Sequence, residues 1–251
     1  MIFLEMAQGS PEWLQARAGR CTASRFVDAV SIVGGLNEQQ QTFVKAVLGG
    51  TAEKIAAESA GYKAVPRSEI ITRALNGENT IDFSQEAKRY AADIAIEIIS
   101  GKPHGEPPKA WVLDRGHEME RLARIEYEAL TGAYVTESGL CIDDHGYAYS
   151  SDGLVEDDGL IEIKAPIDSD KIMAMLSVGD VSEYAHQMAG GLWITGRKWI
   201  DFIQYVPDLE SVGKHLFIKR VYRDEDFIAS MVEGLSRFMA RVDANVQLLR
   251  A

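Results

Sequence analysis

The chain has 251 residues, of which 46% are apolar and 25% are charged, and its net charge is −12. This composition is typical of a soluble globular protein with an ample core, and no apolar run is long enough to cross a membrane. No basic signal-peptide region stands near the start, so we expect a cytoplasmic protein. The acidity argues mildly against a protein that binds DNA over its whole surface. Cys21 and Cys141 lack metal-type spacing, which predicts two small buried apolar residues in a reducing compartment.

The first predicted helix begins after Ser10, with a proline at the first helical position and an acid in the first turn. It ends at Gly19, and residues 22–24 resemble the cap of a second helix. Because helix N-termini bind phosphate, Arg17 beside such a cap would add a charge-assisted contact. The alternative is a surface arginine beside an ordinary capping serine, and these residues by themselves favour that alternative.

Residues 31–110 are predicted to be mostly helical, with an amphipathic helix over 39–57. Residues 61–80 show no clear period, although Ile70 and Ile71 are compatible with the start of a short strand. The sequence contains no internal repeat in this region or elsewhere.

Residues 101–108 contain three prolines and two glycines, which is typical of a loop or linker. A strong helix is predicted over 115–132, ended by Gly132. Glu120 lies at the edge of the apolar stripe of this helix and could reach a site on the strands that follow, as a third carboxylate. The alternative is an edge salt bridge with Arg124, four residues later.

Two β-rich runs, 147–155 and 160–164, flank an acidic turn that contains an Asp-Gly step, which predicts a β-hairpin. Side chains alternate along a strand, so Glu162 and Lys164 point to the same face. The register decides whether Asp152 joins them. A four-residue loop displaces Asp152 from Glu162 by one residue, whereas a five-residue loop or a bulge places the two opposite each other, with Cβ atoms about 5 Å apart. We expect the second register.

Two carboxylates this close repel each other, so the fold needs a compensating charge. Oxygen ligands without a nearby His or Cys favour Mg²⁺ or Mn²⁺ over zinc. Lys164 could hold or polarise a water that attacks phosphorus, while the metal stabilises charge on the phosphate oxygens. The pattern predicts a nuclease, and the alternative is a solvated hairpin edge with surface charges.

The Asp-x9-Glu-x-Lys spacing is weak by itself, because a similar set, Asp82 with Glu86 and Lys88, occurs elsewhere in the chain. Glu86 and Lys88 lie within residues 84–99, whose apolar residues repeat at helical spacing, and Asp82 lies just before them. On a helix, side chains two residues apart diverge, so this second set cannot share a metal site.

After the hairpin, a helix is predicted over 182–194, and its residues Tyr184 and Gln187 share one face. Gln187 could contact a phosphate or a base, and the alternative is a surface amide. Residues 199–206 are nearly all apolar and β-rich, which predicts a central buried strand. Further elements are predicted over 134–142 (strand), 168–176 (helix) and 226–249 (helix).

Four stretches of the chain resemble, in this order, the phage λ exonuclease-like or YqaJ-type alkaline exonucleases. They are residues 9–24, 116–120, 149–166 and 184–195. These relatives belong to the wider PD-(D/E)xK restriction-endonuclease-like fold. The resemblance therefore implies an α/β fold with a mixed central sheet flanked by helices, in one domain over 1–251 with residues 31–110 as a helical insertion.

The resemblance also implies roles for individual residues. Asp152, Glu162 and the backbone carbonyl of Ile163 would hold Mg²⁺, with Mn²⁺ as a substitute. Lys164 would position the attacking water, and Glu120 would complete the site. A pocket for the terminal 5′-phosphate is implied for Arg17, Ser24, Ser150 and Gln187, and DNA contacts are implied for Trp13 and Tyr184.

The implied activity is processive 5′→3′ digestion of one strand of linear duplex DNA, which releases mononucleotides and leaves a 3′ overhang. Relatives form homotrimeric rings around DNA and cooperate with a single-strand annealing protein in recombination. The resemblance thus implies these partners, no membrane, and a phage- or prophage-encoded protein in the bacterial cytoplasm. Only the channel of such a ring needs to be positive, which would reconcile DNA binding with the acidic chain.

Two departures from the family pattern bear on these implications. Ser151 stands where the name of the motif expects proline, a position that does no chemistry. A basic residue often follows the lysine in the family, but here acidic residues precede Lys171, so phosphate preference is expected to be weaker. An endonuclease of the same fold and a non-catalytic DNA-binding or assembly protein are the alternatives. Arg17 and Ser24 favour an exonuclease over the first, and the intact Asp-Glu-Lys set disfavours the second.

Overall fold

The structure is a computed structural model that describes residues 1–105 and 110–251, and of residues 110–113 it describes only the backbone. Residues 106–109, which include part of the predicted loop over 101–108, lie outside the described residues. Within the described part of the chain, no helix is both long enough and apolar enough to cross a membrane.

The described residues form two compact units. One consists of Met1–Val30 with Arg89–Ala251, and the other is Ser31–Lys88. The second unit begins where the predicted insertion begins and ends before residue 110. The assignment of the whole chain to one domain stays a prediction.

Most of the predicted helices are present, and the cap predicted at Ser10 is confirmed. The Ser10 side chain accepts a hydrogen bond from the Trp13 N–H at the start of the first helix, and the Asp224 side chain caps the last helix in the same way. The helices are α1 (Pro11–Arg17), α2 (Phe26–Ala29), α3 (Glu38–Leu48), α4 (Glu53–Ser59), α5 (Glu69–Leu75), α6 (Gln85–Ser100), α7 (Ala110–Thr131), α8 (Ser169–Val178), α9 (Ala185–Thr195) and α10 (Glu225–Arg250).

The strands of the described chain form a five-stranded central sheet, a three-stranded sheet and a two-stranded ribbon. The ribbon belongs to the second unit and the two sheets belong to the first. The strands are β1 (Ile2–Leu4), β2 (Ile32–Gly34), β3 (Ile81–Phe83), β4 (Val135–Thr136), β5 (Leu140–Ile142), β6 (Ala148–Ser150), β7 (Gly153–Val155), β8 (Gly159–Lys164), β9 (Trp199–Tyr205) and β10 (Leu216–Tyr222).

The central sheet has the strand order β10-β9-β8-β7-β4, in which only the β8–β9 pair is parallel. A parallel pair needs a crossover connection, which α8 and α9 provide. Strand β9 lies between β8 and β10 and is almost wholly buried, so the central strand predicted over 199–206 is confirmed. Helix α7 packs on one face of this sheet. The buried residues of that layer are Ala123, Tyr127, Val135, Val155, Ile161, Ile163, Ile203 and Tyr205.

The run predicted as one strand over 147–155 is two strands in different sheets, so that prediction was wrong. Strand β6 pairs with β5, whereas β7 pairs with β8, and the buried residues Ser151 and Asp152 lie between them. A Cβ on Gly153 would collide with side chains of β4 and β8, so only glycine fits where the chain enters the central sheet. The strand predicted over 134–142 divides in the same way, into β4 and β5.

The three-stranded sheet, in the order β1-β5-β6, packs against α1. Trp13, Leu140 and Ala148 are buried together in this small core. Cys21 and Cys141 are free and buried, which confirms their predicted role as small apolar residues.

The second unit has an apolar core of its own, in which Phe43 and Ile71 are buried. The helix predicted over 39–57 is divided into α3 and α4, because the chain turns at Gly50, whose φ of +89° suits only glycine. Ile70 and Ile71 lie in α5 and not in a strand, so that interpretation was also wrong. Helix α5 packs against α3, and this packing outweighs the β propensity of two adjacent isoleucines.

Candidate active site

The hairpin of β7 and β8 has the register that the sequence favoured. Leu154 pairs with Leu160, and the same register places Asp152 opposite Glu162. One further residue pair forms at the end of the hairpin, so its turn is shorter than the predicted five-residue loop. The expected loop length was wrong, but the register that brings the two acids together is confirmed.

Two cations hold the turn of this hairpin. Arg197 Nη1 donates to the backbone carbonyls of Glu156, at 2.9 Å, and Gly159, at 2.6 Å. Lys198 Nζ forms an ion pair with the Asp158 carboxylate at 2.7 Å. Both cations therefore stabilise the hairpin.

Glu162 is 1% exposed, and both of its carboxylate oxygens accept hydrogen bonds. Its Oε1 accepts from Lys164 Nζ at 2.6 Å and from Gln187 Nε2 at 2.5 Å. Its Oε2 accepts from the Tyr149 hydroxyl at 3.0 Å. These contacts confirm that Glu162 and Lys164 share one face of β8, and they fix the orientation of the carboxylate.

Asp152 lies at the point where the chain leaves one sheet for the other, and its carboxylate is buried. Its Oδ2 accepts a hydrogen bond from the backbone N–H of Ile163 at 2.6 Å. Burial, followed by the charges of Glu162 and Glu120, raises the pKa of Asp152 well above its usual range. These carboxylates therefore favour a bound proton or cation.

Glu120 faces the same site from helix α7. Burial raises the pKa of Glu120, an effect that His117 opposes and Glu162 increases. Arg124 donates to Glu137 at 2.9 Å and not to Glu120, so the alternative of an edge salt bridge between Glu120 and Arg124 is not what the structure contains. Glu120 thus lies beside the two strand carboxylates.

Lys164 is partly buried between the acids and an aromatic ring. Burial disfavours its charge, but Glu162 and Asp152 outweigh this effect and raise the pKa of the Lys164 ammonium above its usual range. Its Nζ lies 5.7 Å from the centre of the Tyr184 ring. The lysine is therefore protonated at neutral pH and can donate hydrogen bonds to a water or a phosphate oxygen, but it cannot accept a proton.

A second set of polar groups comes from α1 and the residues after it. The Arg17 guanidinium stacks over the Trp13 ring at 4.1 Å, and its Nη2 donates to Thr22 Oγ1 at 3.1 Å. Trp13 Nε1 donates to Ser150 Oγ at 2.8 Å, and Ser24 Oγ lies 3.4 Å from Thr22 Oγ1. Burial lowers the pKa of Arg17, which nevertheless stays charged at neutral pH.

The helix that residues 22–24 were expected to cap is much shorter than predicted. The chain forms a 3₁₀ turn over Ala23–Arg25 and then the single turn of α2. The Thr22 side chain caps neither element, and its hydroxyl is instead held by Arg17. The helix cap predicted at residues 22–24 was therefore wrong, although the side chains of Arg17, Thr22 and Ser24 do come together.

One cavity of about 220 Å³ joins the two sets of polar groups. Every site residue predicted from the sequence lines it except Ile163, proposed through its backbone, and Tyr184, which packs against Phe202. The lining residues are Gln8, Trp13, Arg17, Thr22, Ala23, Ser24, Glu120, Ala148, Tyr149, Ser150, Asp152, Glu162, Lys164 and Gln187.

The sequence reasoning missed Tyr149, the hydroxyl donor to Glu162. A signal for it exists in α9, where Gly190 and Gly191 occur in mid-helix, a position that usually marks close packing. A Cβ on Gly191 would lie 2.6 Å from Cζ of Tyr149, so this glycine makes room for the ring. Gln8 and Thr22 were also missed and carry no comparable signal.

Within the described residues, no group of three or more His, Cys, Asp or Glu side chains is arranged as a metal centre. The oxygen donors that line the cavity are the carboxylates of Asp152, Glu162 and Glu120. Burial together with the charges of Glu162 and Glu120 raises the pKa of Asp152, and a hard divalent cation would relieve the repulsion among these carboxylates. The chemistry of this donor set fits such a cation.

Comparisons with known proteins place this geometry in a family. The sequence profile of the YqaJ-like viral recombinase domain matches residues 12–198. A comparison with curated proteins finds no significant match.

Solved structures give the same picture. The alkaline exonuclease LHK-Exo of Laribacter hongkongensis is 27% identical to this chain, with a TM-score of 0.67. Its complex with dAMP has the same identity of 27% and a TM-score of 0.68. Both alignments cover 96% of this chain and 96% of the relative. A phage-related exonuclease from Haemophilus somnus 129PT shares the fold, with a TM-score of 0.57 at 14% identity over 92% of this chain and 96% of the relative. The predicted α/β fold of the PD-(D/E)xK type is confirmed. The chain belongs to the YqaJ-like viral recombinase family.

Proposed function

We propose that this protein is a nuclease that digests one strand of linear duplex DNA from its 5′ end and releases mononucleotides. The observation that carries the proposal is the shared cavity, which is lined by Glu162 and Lys164 together with Arg17. The family match and the alkaline exonuclease neighbours support a nuclease acting on DNA. The dAMP bound to LHK-Exo is a nucleotide of the kind that such a reaction releases.

The reacting phosphodiester lies beside the strand carboxylates. We assign Asp152, Glu162 and the backbone carbonyl of Ile163 as the groups that hold Mg²⁺, or Mn²⁺ as a substitute, with Glu120 completing the set. Bound there, the cation supplies positive charge for the phosphate oxygens as the bond to phosphorus breaks.

Lys164 acts as a hydrogen-bond donor in this proposal. Its ammonium is fixed by Glu162 at 2.6 Å, and its remaining N–H groups are available to hold the attacking water or a phosphate oxygen. Lys164 therefore orients the water, and its charge favours the more negative transition state.

The terminal 5′-phosphate lies at the other end of the cavity. Arg17 supplies the positive charge, and the hydroxyls of Ser24 and Ser150 with the Gln187 amide supply further donors. Trp13 fixes Arg17 by stacking, and both it and Tyr184 are assigned to DNA contact. An end-binding pocket of this kind favours an exonuclease over an endonuclease.

Lys171 is not placed in this pocket. It forms an ion pair with Glu183, so its charge is already neutralised. We therefore expect a weaker preference for a 5′-phosphate than in relatives that carry a basic residue soon after the catalytic lysine.

Processive digestion, a homotrimeric ring and a single-strand annealing partner complete the proposal. A chain of net charge −12 binds DNA only where positive charge is concentrated, and the inner surface of a ring is such a place. The 3′ overhang left by digestion is the substrate of the annealing protein.

The test uses linear and closed circular duplex DNA with Mg²⁺, labelled at either the 5′ or the 3′ end. We expect linear DNA to be digested with early release of the 5′ label as a mononucleotide, while circles survive. Cutting of circles would support an endonuclease instead. Early release of the 3′ label would contradict the polarity, and no digestion of either substrate would refute the nuclease proposal.

A further inference from the structure

A second and larger cavity, of about 680 Å³, is lined by Glu120 and Asp152 of the carboxylate set. It shares these two residues and Gln8 with the cavity of the proposed site, so the two cavities adjoin. We call it the α7 groove. Its lining residues are Glu5, Met6, Ala7, Gln8, His117, Glu120, Arg121, Arg124, Glu137, Ser138, Gly139, Ser151 and Asp152.

One face of helix α7 forms the basic side of this groove. His117, Glu120, Arg121 and Arg124 are spaced i, i+3, i+4 and i+7, which places them on a single helical face. Glu120 belongs to the proposed catalytic set, so the groups left to the groove are an imidazole and two guanidinium groups.

The charges of the groove are only partly neutralised. Arg124 pairs with Glu137, but its Nε is buried and has no partner among the described residues. Arg121 is exposed and has no ion pair or hydrogen bond within the described chain. Glu5 is the remaining acid and is exposed. The groove thus offers one unused guanidinium beside the reacting centre.

We propose that the α7 groove binds the strand under digestion on the 3′ side of the reacting phosphodiester, with Arg121 on a backbone phosphate. This inference rests on the proposed function. If the 5′-phosphate binds beside Arg17 and phosphorus reacts at Asp152 and Glu162, the α7 groove offers a path for the remaining strand, because it adjoins the small cavity at Asp152. The α7 groove is also larger than the cavity that holds the terminal phosphate. A guanidinium that contacts a backbone phosphate positions a strand regardless of its base sequence.

The experiment compares Arg121→Ala with Arg241→Ala, which removes the same charge from an exposed position on α10. Rates are measured on 5′-phosphorylated oligonucleotides from the dinucleotide to the dodecanucleotide, over a range of salt concentrations. In the parent, kcat/KM rises with length as the groove fills. In Arg121→Ala this rise is smaller, and the slope of log(kcat/KM) against log[salt] is reduced by about one. Arg241→Ala keeps the parent behaviour.

Two further variants separate the groove from the phosphate pocket. Arg17→Ala loses the preference for a 5′-phosphate over a 5′-hydroxyl and keeps the length dependence, whereas Arg121→Ala shows the reverse. Glu5→Gln removes the acid of the groove, so it increases the gain in kcat/KM with length.

A parent-like length dependence and salt slope in Arg121→Ala, with the parent active, would overturn the groove assignment and leave the proposed function standing. A parent that digests no oligonucleotide would overturn both. A loss in Arg121→Ala that is equal at every length and every salt concentration would also contradict strand binding, because it would indicate a general defect.

Discussion

The central sheet buries two acidic side chains, Asp201 on β9 and Glu162 on β8, and surrounds them in opposite ways. Asp201 pairs with Ile161 across the ladder, one residue before Glu162, so the two acids face opposite sides of the sheet. Arg220 donates to both oxygens of Asp201 at 2.8 Å, and the Tyr127 hydroxyl donates at 2.8 Å. This acid is fully paired within the protein.

On the Glu162 side of the sheet, the negative charge of the carboxylates is not fully balanced by positive charge. Glu162, Asp152 and Glu120 line one cavity, in which Lys164 is the ammonium that bonds to Glu162. Burial, together with the nearby charges of Glu162 and Glu120, raises the pKa of Asp152. A closed pair such as Asp201–Arg220 serves stability, whereas an acidic cluster open to a cavity is the arrangement expected where a cation and a substrate bind.

The largest expected effect comes from removing the ammonium that bonds to Glu162 in the open cluster. Lys164→Ala is expected to lower the rate of DNA cleavage by about a thousandfold, because the donor that orients the water is lost. Folding and metal binding remain, and the measurement is digestion of linear DNA together with a thermal melt. Lys198→Ala, which removes an exposed lysine from the hairpin turn, is the control and keeps the parent rate. Cleavage at the parent rate by Lys164→Ala would show that the lysine has no such role.

Breaking the closed Asp201–Arg220 pair should lower the stability of the protein. Asp201→Asn leaves Arg220 without its charge partner, and we expect a loss of about 2 kcal/mol in the free energy of unfolding, less than for a fully buried pair because Arg220 is partly exposed. Urea denaturation measures the loss. An unchanged midpoint would mean that the Asp201–Arg220 pair contributes nothing net.

An aspartate-to-asparagine substitution in the open cluster should instead increase the stability of the protein. Asp152→Asn is expected to stabilise the metal-free protein at neutral pH by about 1 kcal/mol, because it removes a charge that the fold disfavours.

The stability difference between the parent and Asp152→Asn should depend on pH, because the pKa of Asp152 is raised in the folded parent. The folded protein holds the Asp152 proton more tightly than the unfolded chain, so this contribution to stability is complete below the ordinary pKa of about 3.8 and is lost as pH rises through the raised value. As pH rises across this range, the melting temperature of the parent should fall relative to that of Asp152→Asn. Mg²⁺ should raise the melting temperature of the parent more than that of the variant. A destabilised Asp152→Asn at every pH would contradict the contrast between the two acids.

The smallest expected effect concerns the orientation of Glu162. Tyr149→Phe keeps the ring packed against Gly191 but removes the hydrogen bond to Glu162 Oε2. We expect the half-saturating Mg²⁺ concentration to rise about threefold, since Gln187 and Lys164 still hold the other oxygen.

The readout for Tyr149→Phe is the Mg²⁺ dependence of the melting temperature, measured alongside the cleavage rate. Tyr147→Phe changes a neighbouring buried tyrosine that packs on Phe26 and Trp193, and it serves as the matched control. Equal Mg²⁺ dependence in Tyr149→Phe and the parent would exclude a positioning role for Tyr149.

Local pattern predicted several elements because their signals are short-range. The apolar run over 199–206 predicted the central strand β9, and the Asp-Gly turn between two β-rich runs predicted the β7–β8 hairpin. The change of sheet at Ser151 and Asp152 was not predictable, because strands in both sheets have the same two-residue period. Ile70 and Ile71 were misassigned for a related reason: their β propensity is weaker than the packing of α5 in its own unit.

The sequence alone determined that Glu162 and Lys164 share a face, since the alternation of side chains along a strand follows from backbone geometry. Only the tertiary structure decided which groups meet them, because Arg17, Glu120 and Gln187 come from α1, α7 and α9, and their convergence depends on how these helices pack. The same holds for charge: Asp201 is neutralised because β10 brings Arg220 beside it, whereas Glu162 pairs with Lys164 of its own strand while Asp152 and Glu120 line the same cavity.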